Sequence, residues 1–256
     1  MTGRTGVELL DDLISELEVA VGENGVSKEE KEPLPAPPSK DSKKVPVAKN
    51  NGDEKGGKKE GGKKGGKGRP VKVEPKYPPK DVESLHALDL RVGVITEVEK
   101  HATAEKLYCE KIDIGEPEGP RNIASGLVPH YTLDQMQGKR LIVVANLKPK
   151  KLVGFQSFGM VLCAAKTNED GSEKVEFVDP PADAPIGARV ICDGMEMYDP
   201  LTGAQVEKQK IFEKVACVLK TNEETGEAEY KGNKLIVEGE GGGTCIAPTV
   251  RGGLIR

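Results

Sequence analysis

The sequence predicts a mainly β protein: a small five-stranded barrel with one helix between its third and fourth strands, followed by a small C-terminal α+β extension. Short apolar segments separated by glycine and proline begin near Leu85, as strands and turns do. One helix-like stretch interrupts them. The residues before this point are poor in aromatic side chains and rich in Lys, Gly and Pro, a composition that predicts a disordered, lysine-rich N-terminal arm.

Residues 1–25 predict an amphipathic helix that docks on a partner. Apolar side chains recur at spacings of three and four, which places them on one helix face: Val7, Leu10, Ile14, Leu17 and Val21. A helix of about four turns is too short to be stable alone in water, so this face needs a partner. The body of the same chain and another protein both remain open, and the long arm that follows favours another protein.

The composition of residues 26–84 predicts a disordered linker with an excess of positive charge. Residues 39–80 carry 14 basic and 5 acidic side chains, whereas residues 1–38 carry 3 and 9, and residues 81–256 carry 21 and 28. Such asymmetry indicates contact with nucleic acid or a membrane surface. We expect auxiliary phosphate contacts from the basic cluster Lys58, Lys59, Lys63, Lys64, Lys67 and Arg69. A solubilising linker is the alternative.

The barrel, residues 85–192, is predicted from five strand-like segments and one helical segment. The strands are Leu88–Val98, Leu107–Ile114, Asn122–Leu127, Leu141–Ala145 and Met160–Ala165, and the helix is Val128–Gln137, with Leu133 and Met136 facing inward. This is the strand order of an OB-fold, which binds oligonucleotides through its second and third strands and its 1–2 and 4–5 loops. In the extension, residues 193–256, we expect a helix at Lys208–Val218 and strands at Tyr230–Val237 and Thr244–Ile246.

The stretch Leu147–Met160 is the 4–5 loop of that barrel and the main candidate site. Lys148, Lys150 and Lys151 form a tight cationic group, with Ser157 as a short hydrogen-bonding side chain nearby. Phosphate is the natural partner of such a group, although on these residues alone a solvated turn is also possible. From Gln135 to Asn168 there is no Asp or Glu, but there are six cations: Lys139, Arg140, Lys148, Lys150, Lys151 and Lys166. A positive patch on an otherwise acidic body favours a positioned contact.

Several other classes of protein are not indicated. The five cysteines include no Cys-x-x-Cys pair, which favours a reducing compartment over a disulfide scaffold. We find no signal peptide and no apolar run near the roughly 20 residues that a membrane helix needs, and therefore expect a cytoplasmic protein. No histidine has metal-ligand spacing and no nucleophile motif appears, so we expect neither a cofactor nor catalysis.

Residues 85–256 resemble the tRNA-binding domain of the endothelial monocyte-activating polypeptide II family. The matching residues are Leu90-Arg91-Val92-Gly93, His101 with Leu107-Tyr108, Ser125-Gly126-Leu127, Asn146-Leu147-Lys148-Pro149-Lys150-Lys151, Gly154, and Ser157 with Met160. The chain departs from the family pattern at Ala102, where proline is usual, and at Glu105, where aspartate is usual. Relatives occur as non-catalytic cofactors of aminoacyl-tRNA synthetases and as domains appended to methionyl- and tyrosyl-tRNA synthetases.

The resemblance implies a non-catalytic tRNA-binding accessory protein that delivers or retains tRNA for synthetases. It also implies a monomeric body, whose extension packs on the barrel and imitates the second subunit of a bacterial dimer. The predicted tRNA-binding residues are Arg91, Tyr108, Lys139, Arg140, Lys148, Lys150, Lys151, Ser157 and Met160. The cations would meet phosphates, Tyr108 would stack on a base, and Ser157 and Met160 would shape the surface. The alternatives are a general single-strand-binding module and a protein scaffold of a multisynthetase complex.

Overall fold

A computed structural model describes residues 85–256. The predicted N-terminal helix of residues 1–25, the arm of residues 26–84 and the six auxiliary cations lie outside the described residues. A buried 3-10 turn, Leu85–Ala87, opens the described part.

The first half of the described chain contains nine strands and one short helix. They are β1 (Leu90–Lys100), β2 (Tyr108–Asp113), β3 (Arg121–Ser125), α1 (Leu133–Met136), β4 (Arg140–Val144), β5 (Lys150–Leu152), β6 (Phe155–Ser157), β7 (Met160–Val161), β8 (Cys163–Thr167) and β9 (Glu173–Phe177). The barrel sheet has the antiparallel order β3-β2-β1-β4-β7. This confirms the predicted barrel, with its single helix between β3 and β4.

Strand β1 pairs with two neighbouring strands, and its pairing register is irregular in the middle. Its first part pairs with β4 and its second part with β2, and the register shifts between Ile95 and Glu97. Gly93 lies just before this shift, where an added Cβ would come within 2.9 Å of the Ile112 side chain. A small residue is therefore required where β1 coils around the barrel.

The helix between β3 and β4 is shorter than predicted. A capping box at Thr132 starts it only at Leu133, so the stretch before it is a turn. Met136 is fully buried as expected, but Leu133 is 39% exposed, so its predicted inward orientation is wrong. With a single turn of helix, only one of the two apolar side chains reaches the core.

The predicted fifth strand, Met160–Ala165, is divided between two sheets. Strand β7 pairs with β4, and after Leu162 the chain continues as β8, which pairs with β9 and with the C-terminal strand. Strand β9 was not predicted. Its first residues, Glu173 and Lys174, are charged and exposed, as is usual at a sheet edge, so the sequence has no apolar run there.

The C-terminal half forms a second sheet with two helices on it. Its elements are β10 (Val190–Cys192), α2 (Gly203–Gln209), α3 (Ile211–Ala216), β11 (Leu219–Thr221), β12 (Ala228–Tyr230), β13 (Asn233–Val237), β14 (Gly243–Thr244) and β15 (Leu254–Ile255). The predicted helix Lys208–Val218 is two helices, because Lys210 adopts a left-handed conformation with φ of 52°. Likewise, the predicted strand Tyr230–Val237 is a hairpin that turns at Lys231 and Gly232.

The C-terminal half shares a hydrophobic core with the barrel strands. One buried cluster combines barrel residues such as Val92, Val144 and Leu162 with the C-terminal residues Val215 and Tyr230. A second cluster fills the barrel interior. Strand β15 pairs with β8, so the backbone pairing also joins the two halves.

Candidate nucleic-acid interface

The 4–5 loop is a β-hairpin rather than an irregular turn. Strands β5 and β6 pair in the register Lys150↔Ser157 and Lys151↔Gln156. The two turn residues, Val153 and Gly154, both have positive φ, 46° and 93°, as in the primed turns that join tightly paired strands. Glycine accepts this conformation easily, whereas a β-branched valine does not, so its surroundings must hold Val153 in place.

Apolar contacts and one hydroxyl hold the hairpin on the barrel. Leu152, Val153 and Phe155 pack against a small buried cluster of Ala104, Leu107 and Ala124. The Ser157 hydroxyl, in a residue only 4% exposed, accepts a hydrogen bond from the Ala124 amide at 3.1 Å and donates one to the Gly159 carbonyl at 3.0 Å. Ser157 therefore positions the hairpin on β3, and its hydroxyl faces protein rather than solvent.

Asn146 anchors the chain just before the hairpin. Its side-chain oxygen accepts a hydrogen bond from the Asp89 amide at 2.8 Å, and its side-chain nitrogen donates to the carbonyls of Ala87 at 2.9 Å and Leu201 at 2.8 Å. One amide side chain thus ties the hairpin base to the start of β1 and to the entry of α2.

Arg121 holds together the two ends of the chain segment that forms the hairpin. Its Nη1 donates to the carbonyl of Ala145, before the hairpin, and to the carbonyl of Phe158 at 3.0 Å, after it. The rest of its guanidinium binds both carboxylate oxygens of Glu116, and this hydrogen bonding lowers the pKa of that carboxyl. Sequence reasoning missed this role, since nothing in the sequence indicates that Arg121 reaches across to the 4–5 loop.

The hairpin displays two lysines without counter-charges. Lys150 and Lys151 are exposed, and neither forms an ion pair with any residue between 85 and 256. Lys148 is different, because its Nζ lies 2.9 Å from the Glu207 carboxylate on α2. Two free positive charges therefore project from a fixed support, and a third is shared with an acid.

The cations between Gln135 and Asn168, where the sequence has no Asp or Glu, do not form one patch on the surface. Lys139 lies 2.8 Å from Asp179 and 5.6 Å from the centre of the Phe177 ring, while Arg140 donates to the Ala184 carbonyl. Arg140 begins β4 and Lys139 directly precedes it, whereas the hairpin follows the end of β4, so a strand length of about 14 Å separates them. The grouping of Lys139 and Arg140 with the loop is thus not supported by the geometry.

The remaining predicted residues are partly or wholly occupied. Arg91 is half-buried, lies 2.6 Å from Asp89 and donates to the Gly187 carbonyl at 3.0 Å. Met160 is half-buried against the core. Tyr108 is 1% exposed and its hydroxyl donates to the Tyr131 carbonyl at 2.8 Å, so its ring has no exposed face for a base, which contradicts its predicted stacking role.

Phe158 is an exposed aromatic residue that sequence reasoning passed over. It is 41% exposed and follows β6 directly, with its amide donating to the Asn122 carbonyl at 2.9 Å. Its position between Ser157 and Met160, both predicted site residues, was the available signal. An aromatic face beside free lysines suits a nucleobase whose phosphates are bound next to it.

A groove of about 370 Å³ lies between Phe155 of the hairpin and strands β1 to β3. It is lined by Glu97, Val98, Glu99, Cys109, Glu110, Lys111, Asn122 and Phe155. Its one cation, Lys111, lies 2.7 Å from Glu97. The groove is therefore acidic overall, and phosphate groups are expected on the hairpin rather than in it.

Glu110 is a buried carboxyl group inside the barrel. It is 1% exposed, stands across from Val98 and Ile123 in the neighbouring strands, and accepts a hydrogen bond from the Ser125 hydroxyl. Burial raises its pKa to about 8. Its second oxygen has no hydrogen-bond partner within the described residues. Protonation therefore relieves the burial of charge.

Between residues 85 and 256, no group of three or more His, Cys, Asp or Glu side chains is arranged to hold a metal ion. No helix in that part of the chain is both long and apolar enough to span a membrane. The five cysteines are free thiols, four of them buried.

Residues 90–189 match the protein family tRNA_bind, described as "Putative tRNA binding domain". The fold is similar to the crystal structure of the C-terminal domain of Plasmodium vivax p43, with 33% sequence identity and a TM-score of 0.59. That match covers 68% of this chain and 100% of the p43 domain.

Similar sequences occur within larger proteins. The chain is 43% identical over 176 residues to the cytoplasmic methionine–tRNA ligase of Caenorhabditis elegans, covering 68% of this chain and 18% of the ligase. It is 40% identical over 167 residues to the aminoacyl tRNA synthase complex-interacting multifunctional protein 1 of Cricetulus griseus, covering 64% of this chain and 42% of that protein. The chain thus spans less than half the length of these two relatives.

Proposed function

The chain belongs to the family of proteins that carry this tRNA-binding domain, and on that premise we propose that it is a non-catalytic accessory protein that retains or delivers tRNA for aminoacyl-tRNA synthetases. The observation that carries the proposal is the hairpin, on which Lys150 and Lys151 are exposed, unpaired within the described residues and rigidly supported. Lysine side chains of this kind bind phosphate oxygens and position a nucleic acid without reading its sequence.

The acidic remainder of the body supports a positioned contact. With residues 81–256 carrying 21 basic and 28 acidic side chains, most of the surface repels a polyanion. Lys148 and Arg91 share their charges with Glu207 and Asp89, which weakens the attraction of these two cations for phosphate. We therefore assign the primary contacts to Lys150 and Lys151, and auxiliary contacts to the basic arm.

The first prediction concerns the salt dependence of tRNA binding. The double change Lys150→Ala and Lys151→Ala should weaken binding and lower the slope of log affinity against log salt concentration by about 1 to 2, because each lost phosphate contact lowers the slope by roughly 0.9. Filter binding or fluorescence titration at several salt concentrations measures it.

The matched control is Lys100→Ala with Lys220→Ala. These two lysines are also exposed and unpaired within the described residues, but lie on other strands. The control removes the same charge. If both double variants behave alike, net charge rather than the hairpin determines binding and the assignment fails.

The partner role is assigned to the amphipathic segment of residues 1–25. Tethering tRNA to a synthetase through residues 1–84 of the same chain raises the effective tRNA concentration at the enzyme. A pull-down with and without residues 1–25 tests this division, with bound proteins and RNAs both identified. Loss of synthetases with tRNA retained supports it, and retention of synthetases by the shortened chain contradicts it.

A general single-strand-binding module is the second candidate. The exposed ring of Phe158 favours it, since stacking on an aromatic face is tolerant of base identity. Folded tRNA and an unstructured oligonucleotide of equal charge distinguish the two. Equal affinities would favour the general module over the tRNA-binding function.

A further inference from the structure

Cations on the described surface divide into paired and unpaired ones. Many are held by carboxylates, as in the ion pairs Lys111–Glu97, Arg121–Glu116, Lys139–Asp179, Lys174–Glu176, Lys234–Glu227 and Arg256–Glu173. Five exposed lysines that form no ion pair with residues 85–256 lie on the hairpin and on the helices beside it: Lys150, Lys151, Lys208, Lys210 and Lys214. A lysine without an ion-pair partner is free to meet an external anion, and Lys100, Lys166 and Lys220 share this property singly at other places on the described surface.

The helix α2 is in direct contact with the chain that enters the hairpin. A Cβ on Gly203, its first residue, would lie 3.1 Å from the carbonyl carbon of Leu147 and from the amide nitrogen of Lys148. One turn later, Glu207 forms the 2.9 Å ion pair with Lys148. Backbone contact and ion pair together fix the position of α2 beside the hairpin.

The three helix lysines lie close to this contact. At a rise of about 1.5 Å per residue, Lys208 is roughly 8 Å from Gly203 along the axis of α2, and Lys214, in the next short helix, is on the order of 17 Å away. These distances are comparable to one or two Debye lengths at physiological salt, about 8 Å each. One strand of a duplex carries a phosphate about every 3.4 Å of axis, so the stretch spans about four or five phosphates.

The two acids in the same stretch offset the three lysines only in part. Glu207 is engaged by Lys148, and Glu213 is half-buried in α3. The buried side chains of the two helices, Val206, Ile211, Phe212 and Val215, face the shared core. The helix pair therefore has an apolar side against the protein and a cationic side in solvent.

We propose that α2 and α3 form a second phosphate-binding surface, continuous with the hairpin, which binds the sugar-phosphate backbone of a structured RNA through Lys208, Lys210 and Lys214. The inference rests on the proposed function, because it assigns further contacts to the same ligand. It gives the C-terminal extension a direct part in binding in addition to its packing on the barrel.

The test is the triple variant Lys208→Ala, Lys210→Asn and Lys214→Ala in the full chain, titrated with tRNA. Asparagine is chosen at Lys210 because the backbone there has φ of 52°, a conformation that asparagine tolerates. We expect roughly tenfold weaker binding at physiological salt and a salt slope lowered by about 2 to 3, since each phosphate contact accounts for about 0.9. The melting temperature should stay close to that of the unaltered chain.

The matched control is Lys100→Ala, Lys166→Ala and Lys220→Ala, which removes three exposed lysines elsewhere and changes the net charge equally. Equal affinity and slope for the test and control triples would overturn the inference. If Lys150→Ala with Lys151→Ala still weakens binding in that case, the proposed function stands. If the unaltered chain does not bind tRNA, the proposed function itself fails.

Hydrogen exchange gives a second, independent readout with the unaltered chain. Adding tRNA should slow exchange in residues 203–217 as well as in the hairpin. Protection confined to the hairpin would overturn the inference even if the triple variant binds weakly.

Discussion

Glu110 shows how a single side chain can make the stability of the barrel depend on pH. The carboxyl is buried, its pKa is raised to about 8, and one of its oxygens has no hydrogen-bond partner within the described residues. The folded chain therefore keeps the proton that the unfolded chain loses near pH 4.5. Its contribution to stability is complete below pH 4.5 and is lost as the pH rises through about 8.

We accordingly expect Glu110→Gln to flatten this dependence. Relative to the variant, the unaltered chain should lose on the order of 1 kcal/mol of unfolding free energy for each pH unit between these two pKa values. Urea denaturation at pH 5, 6.5 and 8 measures the difference. Glu118→Gln, at an exposed carboxyl, is the control, and parallel curves for Glu110→Gln and the unaltered chain would contradict the expectation.

Phe158 is the residue at which a base contact is expected. Phe158→Ala should weaken tRNA binding by about 1 kcal/mol, roughly fivefold, at the lower end of values for stacking of a base on an aromatic side chain. The salt slope should not change, because no charge is removed. Phe158→Tyr keeps a ring and should restore affinity, whereas equal loss in both variants would argue against stacking.

At the scale of elements, the position of the hairpin depends on buried contacts more than on its exposed lysines. Ser157→Ala leaves the Ala124 amide without its acceptor in a buried location, which costs about 1 to 3 kcal/mol. We expect faster hydrogen exchange in the hairpin and weaker tRNA binding, although the hydroxyl faces the protein. Gln156→Ala, at the exposed neighbouring position, is the control and should change neither quantity.

The elements that the sequence predicted well are those that are apolar and ended by turn residues. Strands β1 to β4 appear within a few residues of their expected bounds, because each fills the barrel interior and is followed by glycine, proline or a polar turn. Strand β9 was missed because its exposed residues are charged, and β15 because two residues carry no pattern. The helix break at Lys210 was not visible, since lysine rarely adopts positive φ.

The candidate site was predicted in part. The loop that bears Lys150 and Lys151 was identified, because three lysines follow a strand and precede glycines. The sequence groups Lys139 and Arg140 with this loop because the stretch between Gln135 and Asn168 lacks acids. Their environment depends on Asp179 and Ala184, which follow that stretch in the sequence and meet it only in the fold.

At the scale of the whole molecule, the division at residue 192 is a boundary in sequence but not in packing. Strand β10 pairs with β13, and barrel residues such as Val92 and Leu162 share their core with Tyr230 and Val250. A chain that stops at residue 192 exposes this apolar surface. Exposed patches of that kind lead to association or unfolding.

We therefore expect residues 85–192 alone to lack a cooperative thermal transition or to self-associate, and residues 85–256 to unfold cooperatively as a monomer. Circular dichroism with size-exclusion chromatography distinguishes these outcomes. A monomeric, cooperatively folded fragment of residues 85–192 would show that the shared core is dispensable for the barrel.

The double attachment of Arg121 has a consequence for the entropy of binding. Because one guanidinium holds the carbonyls of Ala145 and Phe158, the excursion between them is closed at its base before any ligand arrives. A loop that is already ordered loses little conformational freedom when it binds, so little of the contact energy offsets chain ordering. Two lysines on such a support can therefore contribute more to affinity than the same two lysines on a flexible segment.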